Sequence, residues 1–539
     1  MMPSMKVIRD CGFVFLFGSL CAFGAGEAPV QLAQGRVFHD LNRNGSMDSG
    51  EDGIGSVLVS NGSEVVATDE QGAYQLPVGE DSMIFVIQPK GWQVAVDPGF
   101  LPRFYYNHKP KGSPEALSYP GLAPTGPLPR SIDFPLYPWQ EFQRFSFFVF
   151  GDPQPYSLEE VEFFRRDIIE EARQLEEPVA GVSLGDIVGD DLSLFEPVNA
   201  AIAAMQRPWW HVQGNHDLNF DVEEREFIDE TFERNYGPST YAFEIGEVVF
   251  IVLNNVLYPN THTSHAYTGG FSAKQLRFVE QLLKHVSPNR LVVSMMHIPL
   301  FDESYGDTFV DEHREAFFKL FERHPHTLSL SAHTHTQNHF YFDAVHHGWP
   351  HREAPHHHYN VGTTSGSWWA GDLDERGIPS TTMRDGVPNG YAILHFDGNQ
   401  YRCDWQVANG PEAEVMRLHA PKALQFSDRM WSNAQLGINV YNGCEQTRVE
   451  YRVAGGKWKT ATRQLAADPA YTYERLRRDH LELPAPGHPL PFPSLSTHQW
   501  FAPLPAHLDP GRHLVEVRVT DRYGRVFRDS LHYRILPRK

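Results

Sequence analysis

Cysteine is scarce, with four in 539 residues. Cys11 and Cys21 fall in an apolar N-terminal run, which leaves Cys403 and Cys444 for the folded chain. Two thiols are too few for a disulfide scaffold or a thiolate metal cluster. Whether the two would pair in an oxidising compartment is open, because pairing depends on how close the fold brings their Cα atoms. Positive charge is also short: 46 Lys and Arg against 67 Asp and Glu give a formal charge of −21. That is the wrong sign for coating nucleic acid or an anionic membrane. An anionic substrate therefore needs a local positive centre.

Long apolar runs are missing as well. The longest, Cys11 to Gly24, is shorter than the roughly 20 residues that span a bilayer, so no transmembrane segment is expected. Lys6 and Arg9 precede it, and Ala22 and Gly24 are small. This reads as a secretory leader over residues 1–24 and predicts a periplasmic or extracellular protein.

What is present is ordinary globular composition, 41% hydrophobic and 21% charged. Short β-rich runs with turn residues over residues 25–97 predict a small β-sandwich. Pro and Gly crowd residues 98–144, a poor substrate for helix or central strand, which predicts a linker. At Phe145 the run FSFFVF begins an alternation of apolar strands and amphipathic helices, a layered α/β domain over residues 145–396. Helices are expected over 157–175, with Ser157 and Glu160 as a capping box, and around 193–206, 222–234, 272–285 and 308–323. Residues 397–539 return to short strands, a terminal β-sandwich.

Five segments of the middle domain each follow a strand-like run: Gly151-Asp152-Pro153-Gln154, Gly185-Asp186, Gly214-Asn215-His216-Asp217, His297-Ile298-Pro299 and Ala332-His333-Thr334-His335. Ligands of open α/β sheets bind beyond the carboxyl ends of strands, so all five can share one crevice. The set is oxygen and imidazole without thiolate, suited to hard or borderline divalent metals. Asp190 and Asp191 read equally as supports for such a site or as caps of the next helix.

In this order the motifs resemble those of the calcineurin-like metallophosphoesterases. The resemblance implies a β-sandwich flanked by helices around a dinuclear site, and an enzyme that hydrolyses phosphate mono- or diester, or diphosphate, bonds of a small substrate through a metal-activated hydroxide. Asp152, Gln154, Asp186 and His335 would hold one ion, and Asp186, Asn215, His297 and His333 the other. The ions would be Mn, Fe, Zn or Mg. His216 matches the catalytic histidine and Asp217 the acid that orients it. Most members carry His where this chain has Gln154, and a Gln there is similar to the subgroup that includes ADP-ribose and CDP-alcohol diphosphatases. The stretch Gly362–Trp369 (GTTSGSWW) and Pro388–Tyr391 (PNGY) resemble exported three-domain members. Gln154 also admits an alternative, a cell-envelope protein whose degenerate domain only recognises phosphorylated glycan or lipid.

Further readings concern the surroundings. Trp368 and Trp369 could stack on a substrate ring, which would favour a nucleotide- or sugar-containing substrate, or could simply pack in the core. His346, His347, His351 and the run His356-His357-His358 read as solvated loop residues rather than a lining of the crevice mouth. Asp40, Asn42, Asn44, Gly45, Asp48 and Glu51 satisfy a calcium-loop pattern, although the same residues also make a metal-free hairpin.

Overall fold

The computed structural model describes residues 31–222, 224–260, 266–302, 309–411, 414–427, 433–483 and 488–537. The leader expected over residues 1–24 lies outside the described residues. Among them no helix is long and apolar enough to cross a membrane.

The run RFSFFVF is the strand Arg144–Phe150, buried from Phe145 onward. Its side chains alternate: Phe147 and Val149 enter one core, and Phe148 and Phe150 another. A strand covered on both faces reads as a continuous apolar run. It is the middle of a five-stranded sheet ordered Trp209–Val212, Pro178–Leu184, Arg144–Phe150, Gly390–Asp397 and Gln400–Val407. The first three strands run parallel.

A six-stranded sheet faces it, ordered Tyr241–Ile245, Val248–Val252, Leu291–Met295, Thr327–Ser331, His356–Asn360 and Asn338–Phe342. Aromatic rings fill the seam. Phe147 stacks on Phe250 at 5.0 Å, and Trp210 on Phe243 at 4.1 Å. Helix residues Phe164, Ile168, Val198 and Ile202 cover the outer face of the first sheet around Phe148, Phe150 and Trp209. Helix Ala273–Leu283 buries Phe278, Val279, Leu282 and Leu283 beside the second. The middle domain is therefore a mixed α/β sandwich flanked by helices and dominated by strands.

The expected helix over 157–175 is broken by a π turn at Arg165–Ile169. Ser157 accepts from the Glu160 amide at 3.3 Å, but the Glu160 carboxylate takes the Tyr156 amide, so the capping box is only half made. The reciprocal box is at Ser272 and Gln275. The helix expected around 222–234 runs from Glu230 to Tyr236.

The segment expected as a linker carries strands. Tyr105–His108 pairs with Ser82–Val86, and Phe134–Pro138 runs between Gln31–His39 and Trp92–Val96. Phe134 and Leu136 are buried. This period-2 alternation, not the proline content, decides the outcome. The terminal strands also divide differently: Gln400–Val407 extends the central sheet, and the last sandwich gathers Ile438, Trp500, Val517 and Tyr533 in its core. Helix Pro469–Asp479, capped by Asp468 with proline in its first turn, was not expected. Cys403 and Cys444 are both buried and free.

Phe147→Ala empties the seam between the sheets. It should cost about 3–5 kcal/mol, read from denaturant unfolding of the purified chain. A loss below about 1 kcal/mol would mean that this ring does not hold the sheets together.

Candidate active site

Three of the five strand-end segments turn through left-handed backbone to bring their side chains into the crevice. Asp152, Gln154, Asp186, Asp190, His333 and His335 all have positive φ, from 31° to 73°. Non-glycine residues rarely adopt that region, and where they do they cluster at functional sites. Two glycines permit the close approach. A Cβ at Gly185 would sit 2.5 Å from His297 Nδ1, and one at Gly214 would sit 2.0 Å from the Asp186 nitrogen.

The side chains meet as the sequence order anticipates. His297 Nε2 is 3.2 Å from Asp186 Oδ1 and 3.0 Å from Asn215 Oδ1. His333 Nδ1 faces His297 Nε2 at 3.1 Å, and the His333 amide donates to both Asp152 oxygens at 3.1–3.2 Å. His335 Nε2 lies 3.3 Å from Asp152 Oδ2 and 3.0 Å from Gln154 Oε1. Its Nδ1 is fixed by the Gly366 carbonyl at 2.5 Å. Asp152, Gln154, Asp186, Asn215, His297 and His335 are buried, and His333 is partly exposed.

His216 stands at the rim, and its partner is not the neighbour in sequence. Its Nδ1 meets Asp190 Oδ1 at 2.7 Å, and its amide donates to Asp186 Oδ1 at 2.9 Å. The Asp217 carboxylate instead turns inward and accepts from the amides of Gly214 at 2.8 Å and Val188 at 3.2 Å. Asp217 therefore shapes the turn, and Asp190 orients His216. Asp191 caps the following 3₁₀ turn through the Ser193 amide.

Electrostatics follow from burying two carboxylates together. Burial, with help from Asp186 and against His297, pushes Asp152 up to about 7. Burial acts on Asp186 in the same sense, but the His297 and His216 imidazoles overcome it and hold the group well below the usual carboxylate range. Burial favours neutral imidazole at His333, pushed down to about 3, and at His335, pushed down to about 4. His216 goes the other way, up to about 9: burial opposes, and Asp186 and Asp190 outweigh it.

Residues 145–337 match the family model of the Calcineurin-like phosphoesterase. Residues 41–120 match the N terminal of Calcineurin-like phosphoesterase, and residues 358–527 its C terminal. The chain belongs to the calcineurin-like phosphoesterases. It is a metal-dependent phosphoric ester hydrolase with the family's three-domain arrangement. No curated protein matches it. Among solved structures it is similar to the purple acid phosphatase PPD1 from yellow lupin (Lupinus luteus) seeds, at 11% identity over 66% of this chain and 68% of that one, with a TM-score of 0.36. It is also similar to murine CRIg, at 15% identity over 23% of this chain and 98% of that one, with a TM-score of 0.11. At these scores neither likeness bears on the fold.

The family uses divalent metals, and the cluster in this phosphoesterase fits them. Donor atoms of Asp186, His297 and His333 lie within 4.8 Å of one another. Imidazoles beside buried carboxylates make a set that a hard or borderline cation would satisfy.

Around the cluster the phosphoesterase differs from the sequence expectations. Trp369 is buried, donates to the Pro153 carbonyl at 3.0 Å and packs against Phe163. It is a core residue and not a substrate platform. Trp368 is partly exposed and stacks on His335 at 4.0 Å. Tyr156 lies edge-on to His216, and Tyr267 edge-on to His333. Sequence reading missed both tyrosines; the only signal was that Tyr156 follows Gln154 by two positions.

His346 is exposed and His347 and His351 are partly so, but His356, His357 and His358 form a buried strand. His356 and His358 alternate with Thr327, Ser329 and Ser331 of the neighbouring strand through contacts of 2.7–3.0 Å. Ser331 then donates to Asn360, and Asn360 to Thr334 between His333 and His335.

In the first domain, Asp40, Asn42, Asn44, Asp48 and Glu51 converge through a web of hydrogen bonds. Asp40 accepts from the Gly45 amide at 2.8 Å, Glu51 from the Leu41 and Asp48 amides at 2.9 Å, and Asp48 from both asparagine side chains.

The two carboxylates near His216 separate cleanly by experiment. Asp190→Asn should lower kcat for an aryl phosphate about 10–100-fold with an unchanged melting temperature, whereas Asp217→Ala should lower the melting temperature. Equal kcat in Asp190→Asn and the parent would remove Asp190 from its orienting role.

Proposed function

We propose that this phosphoesterase hydrolyses phosphate mono- or diesters of small, ring-bearing molecules such as nucleotides, and that it does so outside the cytoplasm. The observation that carries the reading is the convergence of seven donors from five strand ends on one crevice, with His216 at its edge. In this reading Asp152, Gln154, Asp186 and His335 hold one divalent ion, and Asp186, Asn215, His297 and His333 hold the second. When bound, such ions neutralise phosphoryl charge and lower the pKa of coordinated water toward neutrality. Asp190 and Asp186 hold His216 as the imidazolium, with Nδ1 donating to Asp190, so the proton on Nε2 is the one that can pass to the departing oxygen.

Ring recognition is supported by Tyr156, Tyr267 and Trp368, each set against an imidazole of the cluster. Support for export is the leader-like N-terminal run. Gln154 turns its carbonyl oxygen to His335 Nε2 at 3.0 Å and its amide nitrogen to Asp186 Oδ2 at 3.3 Å, and in this reading the oxygen is the atom that ligates.

Hydrolysis of p-nitrophenyl phosphate and bis-p-nitrophenyl phosphate, measured with chelator and after restoring Mn, Fe, Zn or Mg, tests the reading. Activity should vanish with chelator and return with metal, and His216→Ala should lower kcat about 100-fold or more. Chelator-insensitive hydrolysis, or none on any ester, would count against it. Trp368→Ala should raise KM for a nucleotide ester about 10-fold, as expected for one lost stacking contact, and leave KM for methyl phosphate unchanged. Equal effects on both would sink the ring-bearing assignment.

A further inference from the structure

Just beyond the strand Val248–Val252 two asparagines stand side by side, outside the five motif segments. Asn255 is fully buried. Its Oδ1 accepts from the amides of His297 at 3.2 Å and Ile298 at 3.0 Å, and its Nδ2 donates to the Ile298 carbonyl at 2.6 Å. Asn254 reaches the other sheet. Its Nδ2 donates to Gln213 Oε1 at 2.6 Å, and its Oδ1 accepts from the Val256 amide at 3.1 Å. Gln213 is fully buried and lies two positions before Asn215.

Both contacts fall where a strand has just ended. Leu291–Met295 stops two residues before His297, and the His297 and Ile298 amides bond the Asn255 side chain in place of a neighbouring strand. Buried backbone groups must be paired, and a carboxamide carries the same donor and acceptor as a peptide group. Asn255 therefore fixes the backbone of this turn. A separate contact aims the ring: His297 Nδ1 donates to the Leu184 carbonyl at 2.8 Å, which leaves Nε2 facing Asn215 Oδ1 at 3.0 Å. Asn215 follows a strand of the five-stranded sheet and His297 one of the six-stranded sheet. Their separation thus depends on how the two sheets are tied at this end. The Asn254 carbonyl in turn accepts from Gln275 Nε2 at 2.5 Å, in the first turn of helix Ala273–Leu283.

We infer that Asn254 and Asn255 are positioning residues for the second ion, a clamp that sets the distance between Asn215 and His297 across the two sheets. The inference rests on the reading that these two side chains hold that ion. Among the described contacts neither asparagine bonds Asp152, Gln154 or His335, so its loss should fall on one site of the two.

Manganese titration of the chelator-stripped full chain, with free Mn(II) read by electron paramagnetic resonance, tests this. The parent should bind two ions. Asn255→Ala should weaken one of them about 10–100-fold and leave the other unchanged, and kcat for p-nitrophenyl phosphate should return to near the parent value at saturating manganese. Asn255→Asp, which keeps the accepting oxygen, should recover most of the affinity. Asn254→Ala, at a partly exposed position, should weaken the same site. Phe147→Ala controls for lost stability and should bind two ions as the parent does. The clamp is refuted if both alanine variants bind two ions as tightly as the parent, if both sites weaken alike in them, or if Phe147→Ala weakens one site as much. A parent that binds fewer than two ions would overturn the two-ion reading itself, and the clamp with it.

Discussion

Two carboxylates buried a few ångströms apart, Asp152 and Asp186, are the constraint that the rest of the site answers. Neither has a Lys or Arg partner among its described contacts. Buried unpaired charge is among the costliest features a fold can carry. The fold meets it with imidazoles, with the His333 and His216 amides, and with glycines that let strand ends pack against each other. Left-handed backbone at six polar residues of the site, the two carboxylates included, costs roughly 1–3 kcal/mol each. Such strain persists only where the surroundings over-determine the conformation.

The surroundings do so through polar contacts remote from the crevice. The chain of side chains from Thr327 through His356, Ser329, His358, Ser331 and Asn360 ends on Thr334, between His333 and His335. Asp385 accepts from the Gln337 amide at 2.6 Å and meets His498 of the C-terminal sandwich at 3.0 Å. Thr497 donates to Asn338. The first domain braces the opposite side: the Trp209 amide donates to Phe100, and the Glu244 amide to Gln88. Both flanking domains thus lean on the two sheets whose strand ends form the crevice, which gives the three-domain arrangement a physical purpose.

What could be read from the sequence was whatever is local. A continuous apolar run followed by Gly-Asp, Gly-Asn-His, His-Ile-Pro or His-x-His marks a buried strand and its end, and the structure brings the ends of five such segments to one crevice. What could not be read depended on side-chain direction or on distant partners. Asp217 sits beside His216 in sequence, yet the turn aims its carboxylate at its own backbone, and Asp190 reaches over from another loop. Trp368 and Trp369 are consecutive, so one faces the crevice and the other the core. Three consecutive histidines look solvated until the Ser and Thr hydroxyls of a neighbouring strand are seen to pair with two of them. The proline-rich segment joins a sheet because its alternating apolar residues outweigh its missing donors.

The central claim is that the acidity of this chain is used locally, to gather cations that admit phosphate where the overall charge would repel it. Its most direct test is elemental analysis by plasma mass spectrometry of the full chain and of Asp186→Asn, purified identically and compared at equal folded content. The account predicts about two divalent ions per parent chain at the strand-end cluster and loss of most of that metal in the variant. An Asp186→Asn chain that kept the parent's metal content and its hydrolytic rate would contradict it.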